Sequence, residues 1–327
     1  MTAYSLTIDG FDAATIAPYS PPVYETLADG GCGELTTTLG LPRWAEHAAL
    51  RKNATVILRL GSLGVWHGYL TDYDRETGEL VATGQAHRSK LALNGSGQAT
   101  LAVGTAITQA IARGWDVTNP AGVSGTVNGT VEGVQTMAEL LAAYATQTTQ
   151  RWGVNGRGQV YLRADPTEPQ WYLTPGAAVL SPTTEGQATS LAGRYLESDR
   201  SIATAYVGDP SGDEEPVDLT GRGILTLGQA QALLTSMLAL TRTAPAWTSG
   251  IEVSAELVRT EGGTPAALAA ITAGSVMRLT GLPVLAAGGL WVDALIGRTR
   301  YQAGAPTIYL EPISTAPRTL ADVIAAT

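Results

Sequence analysis

The sequence predicts a β-rich α+β fold: two antiparallel β-barrel domains, an α+β insert between them, and helical insertions. Three observations carry that prediction. Residues 55–84, TVILRLGSLGVWHGYLTDYDRETGELVATG, read as three consecutive antiparallel strands. The composition is 44% hydrophobic and only 15% charged, so much of the polar surface falls to Thr, Ser, Gln and Gly, as in β-rich proteins. Residues 133–149 carry helical spacing and are followed at once by a hairpin signal.

Residues 1–50 alternate short strands with Pro and Gly punctuation: 4–9, the turn-forming Pro18-Tyr19-Ser20-Pro21-Pro22, then 33–39 (GELTTTL). Thr36, Thr37 and Thr38 favour a strand because β-branched side chains fit a pleated surface. Pro42-Arg43-Trp44 and residues 45–50 are expected to form a short helix. In 55–84, Val56, Leu58 and Leu60 alternate along the first run. Trp66, Gly68 and Leu70 take one face of the second, and Val65, Tyr69 and Tyr73 the other. Leu80 and Ala82 close the third. Period-two spacing places alternate side chains on opposite faces, while Gly61-Ser62-Leu63-Gly64 and Glu76-Thr77-Gly78 supply the positive φ that tight turns need.

The pattern changes after Gly84. Ile107, Ala110 and Ile111 predict a short helix stopped by Gly114. Residues 116–131 are too rich in Gly, Asn and Thr for a helix. Val134, Met137, Leu140, Leu141 and Tyr144 predict a helix over about 133–149. Residues 151–154 and 159–162 flank Asn155-Gly156-Arg157-Gly158, a hairpin signal. A proline-rich passage, 166–182, leads to two strands in 190–207 and a polar, acidic connection over 209–216. Thr226 and Gln229 form a capping box, and Leu227, Ala230, Leu233, Leu234, Met237 and Leu238 stripe the helix that follows. Residues 251–257 alternate as a strand, and Thr264-Pro265 is expected to open a short helix. Strands return at 274–279, 290–301 and 307–310, and 319–326 is expected to be helical. Arg59-Leu60, Leu63 and Trp66 are echoed by Arg278-Leu279, Leu282 and Trp291, so 55–84 and 277–310 are expected to superpose as related barrel segments. The expected domains are a first barrel over 1–95, the insert over 96–185, a second barrel over 186–315 with a helical insertion at about 225–242, and a tail over 316–327.

At 327 residues the chain can bury more than one core. Its net charge of −9 and pI near 4.9 argue against a binder of the nucleic-acid backbone. Lysine occurs only at Lys52 and Lys90, and the wealth of Arg, Ala, Gly and Thr suggests a high-GC genome. Cys32, the single cysteine, excludes an internal disulfide and a multi-cysteine zinc site and reads as a small buried hydrophobe. The N-terminus has no signal-peptide pattern and no segment reaches ~18 consecutive apolar residues, so a soluble protein made in a cytoplasm is expected, without membrane insertion by this chain.

The candidate chemistry is sparse. His47, His67 and His87 are twenty residues apart and lack metal-ligand spacing. Asp72, Asp74, Glu76 and Glu79 could supply paired glycosidase carboxylates, but they surround a hairpin turn, where carboxylates are ordinarily solvated. The acidic 209–216 connection lacks the spacing of a calcium loop. No nucleophile elbow, phosphate loop or dinucleotide fingerprint is present. Catalytic, cofactor-binding and metal residues are therefore all assigned as none, and no cofactor is expected.

The order of elements carries further than any residue. VILRLGSLGVWHGYLTDYDRETGELVATG is followed by ELLAAYATQTTQRWGVNGRGQVYL, then ILTLGQAQALLTSML and SGIEVSAEL, and finally ITAGSVMRLTGL and LWVDALIGRTRYQAGAPTIYLEP. Nearly the whole chain resembles the minor tail protein or tail-hub family of long-tailed actinobacterial phages, similar to the baseplate-hub proteins that join the tail tube to its tip. The resemblance implies two tube-like β-barrels per chain in a homotrimer, six barrels around a DNA channel, and a place at the virion tail tip after assembly in the host cytoplasm. Implied partners are a distal tail or tube protein, the tape-measure protein and tail-tip proteins, with DNA passing unbound; an acidic lumen would not retain it. Many relatives carry a long C-terminal extension for receptor binding or wall degradation, whereas here little follows Pro312, which favours a plain hub. The alternatives are a cell-wall carbohydrate-active enzyme using Asp72 with Glu79 or Asp74 with Glu76, and the equivalent hub of a contractile injection system.

Overall fold

The structure is a computed structural model that describes residues 4–92, 100–128, 135–173, 189–211, 214–241, 250–280 and 291–313. It is mostly β with few helices, as the composition predicts. The N-terminal elements are β1 (Tyr4–Ile8), β2 (Phe11–Asp12), the one-turn helix α1 (Ala13–Ile16), β3 (Val23–Leu27) and β4 (Gly30–Thr38). The three predicted strands follow as β5 (Thr55–Leu60), β6 (Leu63–Tyr73) and β7 (Glu79–Gly84). Next come β8 (Leu91–Ala92), β9 (Thr100–Ala102), α2 (Val103–Ala112), β10 (Thr126–Asn128), β11 (Gln135–Thr136) and α3 (Met137–Gln147). The predicted hairpin is β12 (Arg151–Val154) and β13 (Val160–Arg163), and β14 (Trp171–Leu173) follows it. The remaining elements are β15 (Ser190–Leu196), β16 (Ile202–Gly208), β17 (Glu214–Asp218), α4 (Leu227–Thr241), β18 (Ile251–Ser254), β19 (Val258–Arg259), β20 (Val276–Thr280), β21 (Trp291–Gln302) and β22 (Thr307–Pro312).

The chain divides into two compact units, one of 1–178, 250–280 and 293–313, the other of 179–249, 281–292 and 314–327. In the larger unit a single curled, half-barrel sheet runs in the order β19-β14-β20-β21-β3-β4-β7-β6-β5-β1-β2, with β12, β13, β18 and β22 attached. The inward positions alternate as the pleat requires. β1 pairs antiparallel with β5 so that Leu6 faces Leu58 and Ile8 faces Val56, all four fully buried. Trp66, Leu70, Leu80 and Leu35 complete this core; each such side chain contributes about 2–3 kcal/mol by leaving water. β6 pairs with both β5 and β7, and β21, of similar length, borders β20 and pairs with β22. The strands of 251–312 join the N-terminal strands through β3 and β21. A buried hydrogen bond of 2.7 Å between the Thr26 and Thr299 hydroxyls crosses that join, and Ala273 N–H donates to Thr26 Oγ1 at 2.8 Å.

Beside the sheet, α2 and α3 pack Ile107, Met137, Leu140 and Leu141 against Trp115, Trp152, Val154 and Val160. α3 starts one turn later than its stripe suggests, because Thr136 and Glu139 form a reciprocal capping box that fixes the N-terminus. The smaller unit is a three-stranded sheet, β16-β15-β17, with α4 on one face. The capping box of Thr226 and Gln229 is present. Of the predicted stripe, Ala230, Leu234, Met237 and Leu238 are buried, while Leu227 and Leu233 are exposed.

Three expectations are corrected. Residues 42–50 form isolated turns, not a helix: Ala45 N–H reaches Pro42 O and Leu50 N–H reaches His47 O, while the His47 ring accepts the Ala49 N–H. Thr264-Pro265 does not open a helix. Thr260 N–H donates to Thr264 O, Gly263 adopts φ +77°, and Pro265 bridges Arg259, so a tight turn wins over the helical preference of proline. Residues 214–216 of the acidic connection are strand, pairing in parallel with β15. The expected helix over 319–326 lies outside the described residues, as do most of the proline-rich passage and Gly212-Asp213.

β12 meets β4 in parallel, Gly153 opposite Gly30 and Val154 opposite Gly31. Gly31 has φ +83°, and a Cβ there would lie 2.2 Å from Val154 O. Gly31→Ala is therefore expected to cost about 3 kcal/mol or more, combining left-handed strain of ~1–2 kcal/mol with displacement of the β12 backbone. Gly10→Ala, with φ +85° but open space, is expected to cost only the strain. Thermal melts should separate the two variants by several degrees; equal midpoints would show that the β4–β12 approach is not constrained.

Candidate functional site

Residues gather around concave surface where the β12–β13 turn meets β6. Asn155 sets that turn, its Oδ1 accepting the N–H groups of Arg157 at 2.9 Å and Gln159 at 3.1 Å, and Gly158 takes φ +71°. The β5–β6 turn approaches it backbone to backbone. A Cβ on Gly64 would lie 2.8 Å from Gly156 O, and one on Gly156 would lie 2.4 Å from the Val65 carbonyl carbon.

Two cavities adjoin this contact. One, of about 360 Å³, is mostly apolar and includes Leu27, Cys32, Leu63, Val65 and Ala273, with Arg157 and Arg163 among its polar groups. The other, of about 210 Å³, is lined by Ile57, Arg59, Ser62, His67 and Arg157, with Gly64 and Gly156 shared between both.

His67 lies on β6 and is 5% exposed. Its Nε2 is 3.5 Å from Asp116 Oδ2, which also accepts the Thr55 hydroxyl at 2.6 Å. The imidazole, and then that hydroxyl, hold the Asp116 carboxyl down at about 2 against the opposing effect of partial burial. Nδ1 is buried without a partner, and a Cβ on Gly158 would sit 2.7 Å from it. The backbone N–H of His67 donates to Cys32 Sγ at 3.4 Å. Cys32 is fully enclosed and its thiol is pushed up to about 12 by burial, so it packs as the hydrophobe its sequence context suggests.

The other sequence candidates do not converge on this place. His47 lies in the 42–50 turns, edge-on to Phe11 at 5.3 Å. His87 ends a short turn after β7, its ring beside Gly30. Asp72, Asp74, Glu76 and Glu79 do share one feature, the β6–β7 turn, and all are exposed. Asp74 builds it, accepting Glu76 N–H at 2.7 Å and the Thr77 hydroxyl at 2.8 Å, which hold its carboxyl below the usual range. In the 209–216 region, Asp209 caps Ser211 through its N–H and hydroxyl. Among the described residues no group of three or more His, Cys, Asp and Glu could hold a metal ion, and no helix is long and apolar enough to cross a membrane. Sequence reading missed the His67–Asp116 pair, whose members are far apart in the chain. It also missed the docking of the 155–158 turn, whose only signal is glycine at positions 31, 64, 156 and 158.

No protein-family model matches the chain, and no curated protein matches it in sequence. Solved structures do. The 43 kDa tail protein of prophage MuSo2 from Shewanella oneidensis is 12% identical, with a TM-score of 0.55 over 98% of each chain. The tail protein from Neisseria meningitidis MC58 is also 12% identical, with a TM-score of 0.51 over 97% of this chain and 98% of its own. These likenesses are of fold.

The Asp116 contacts give a pH signature. A carboxyl held at about 2 when folded and near 3.9 when unfolded adds stability that is fully present above about pH 4 and is lost as pH falls toward 2. Because Asp116 is half exposed, screening reduces that contribution to about 1 kcal/mol. Urea unfolding of Asp116→Asn should show that loss at pH 7 and a flatter curve between pH 4 and 2; curves parallel to the parent would contradict the assignment.

Proposed function

We propose that the chain is a structural protein of a bacteriophage tail: a hub, or minor tail protein, that forms a ring around the DNA channel and joins the tail tube to the tail tip. The observation that carries this reading is the end-to-end correspondence in fold with two prophage or bacterial tail proteins, which spans 97–98% of this chain. The electrostatics agree. With a net charge of −9, a ring of such chains would repel passing DNA instead of retaining it.

In this reading three copies form the ring. Each contributes two tube-like barrel segments, one from 1–95 and one from 186–315, so that six related segments surround the channel and match a sixfold tube to a threefold tip. In both meanders, β5–β6–β7 and β20–β21–β22, the middle strand pairs with the strands before and after it in the chain. The partners are the distal tail or tube protein, the tape-measure protein and tail-tip proteins, and the site of action is the virion tail tip. The Asp72–Glu79 turn serves assembly and not glycoside hydrolysis, because the Asp74 carboxylate is already committed to two hydrogen bonds that make the turn, from Glu76 N–H and the Thr77 hydroxyl.

The native mass of the purified full chain tests the ring. A species of three chains, sensitive to salt, is expected; a chain that remains monomeric at every concentration and salt would overturn the hub.

A further inference from the structure

Arg59 and Arg157 line the 210 Å³ cavity together with Ser62 and the buried His67. Other arginines of this unit are held either by carboxylates, as Arg51 by Asp9, Arg75 by Glu46, Arg151 by Asp29 and Asp165, and Arg298 by Glu25, or by backbone carbonyls, as Arg88, Arg113, Arg163 and Arg259. Among the described residues neither Arg59 nor Arg157 has an ion-pair or side-chain hydrogen-bond partner. Two guanidinium groups at one concavity repel each other until an anion sits between them, and their planar forks match a carboxylate in two-point contact.

The complementary charge is at the other end of the same strand. β6 runs eleven residues from the cavity to the acidic turn, about 33 Å at ~3.3 Å per residue. There Asp72, Glu76 and Glu79 are exposed and, among the described residues, without a side-chain partner, while Arg75 is held by Glu46. The turn of the same chain cannot reach the cavity across that span. A second copy can, since a body with an acceptor at one end and its complement at the other associates head to tail, into a ring if the rotation closes.

We propose that this cavity is an inter-subunit socket in which Arg59 and Arg157 clamp a carboxylate from the 72–79 turn of a second copy of this chain. The volume suits one carboxylate, its short stem and a few waters of ~30 Å³ each. A polynucleotide backbone is the poorer fit to a chain with a net charge of −9. The inference rests on the self-association in the function proposed above, but not on the number of subunits.

The test uses full chain carrying Arg59→Lys and Arg157→Lys, mixed from ¹⁴N and ¹⁵N preparations and coupled with a zero-length carbodiimide. Mass spectrometry should find mixed-isotope cross-links between peptides containing position 59 or 157 and peptides containing 72–79, and Asp72→Asn/Glu76→Gln/Glu79→Gln should abolish them. Coupling confined to one chain, coupling to other carboxylates, or none would overturn the socket. So would binding of inorganic phosphate or a DNA duplex that Arg59→Gln/Arg157→Gln removes. Native mass separates the two proposals: an oligomer lacking this cross-link overturns the socket alone, a cross-linked dimer or open filament overturns the threefold ring alone, and a persistent monomer overturns both.

Discussion

The larger unit depends on approaches so close that an added side chain would block them. At Gly31 against Val154, at Gly64 against Gly156 and at Gly158 against His67, the absent Cβ lets the β12–β13 hairpin settle onto the curled sheet. The hairpin in turn anchors α3 through Trp152, Val154 and Val160, which share a core with Met137, Leu140 and Leu141. α3 is thereby tied to the sheet through the hairpin. Glycine loses more backbone freedom on folding than any other residue, and that cost is offset by the apolar area the hairpin buries.

The same contact shapes the polar surface. It leaves a cavity on each side of Gly64 and Gly156, one mostly apolar and one basic, with Arg157 in the wall of both. It encloses His67, and among the described residues the carboxylate paired with that imidazole is Asp116. Charge is thus sorted along β6: guanidinium groups at its start, carboxylates at its end. Such polarity suits the repeated association proposed above, and Cys32 is enclosed, its thiol pushed up to about 12 by burial.

Local patterns made much of the fold legible. Period-two alternation located β5, β6 and β7, Asn155-Gly156-Arg157-Gly158 located a hairpin, and the spacing of Met137, Leu140 and Leu141 located α3, because each signal lies within a dozen residues. Where local signals competed, the weaker was misread: Pro265 can start a helix, but a positive φ at Gly263 and the Thr260–Thr264 hydrogen bond make a turn instead. The site was barely legible. Thr55, His67 and Asp116 meet only through the fold, and the glycines that bring Arg157 beside Arg59 look like ordinary turn residues until their neighbours are known. The strand order, which joins β3 to β21 across most of the chain, has no local signature either.

The central claim, that this fold serves as a ring at the tail tip, is tested most directly by imaging the assembled particle with an antibody against this chain. The account predicts label confined to the tail tip, with density for three copies around an open channel. Label on the capsid, along the whole tail, or only on protein outside the particle would contradict it.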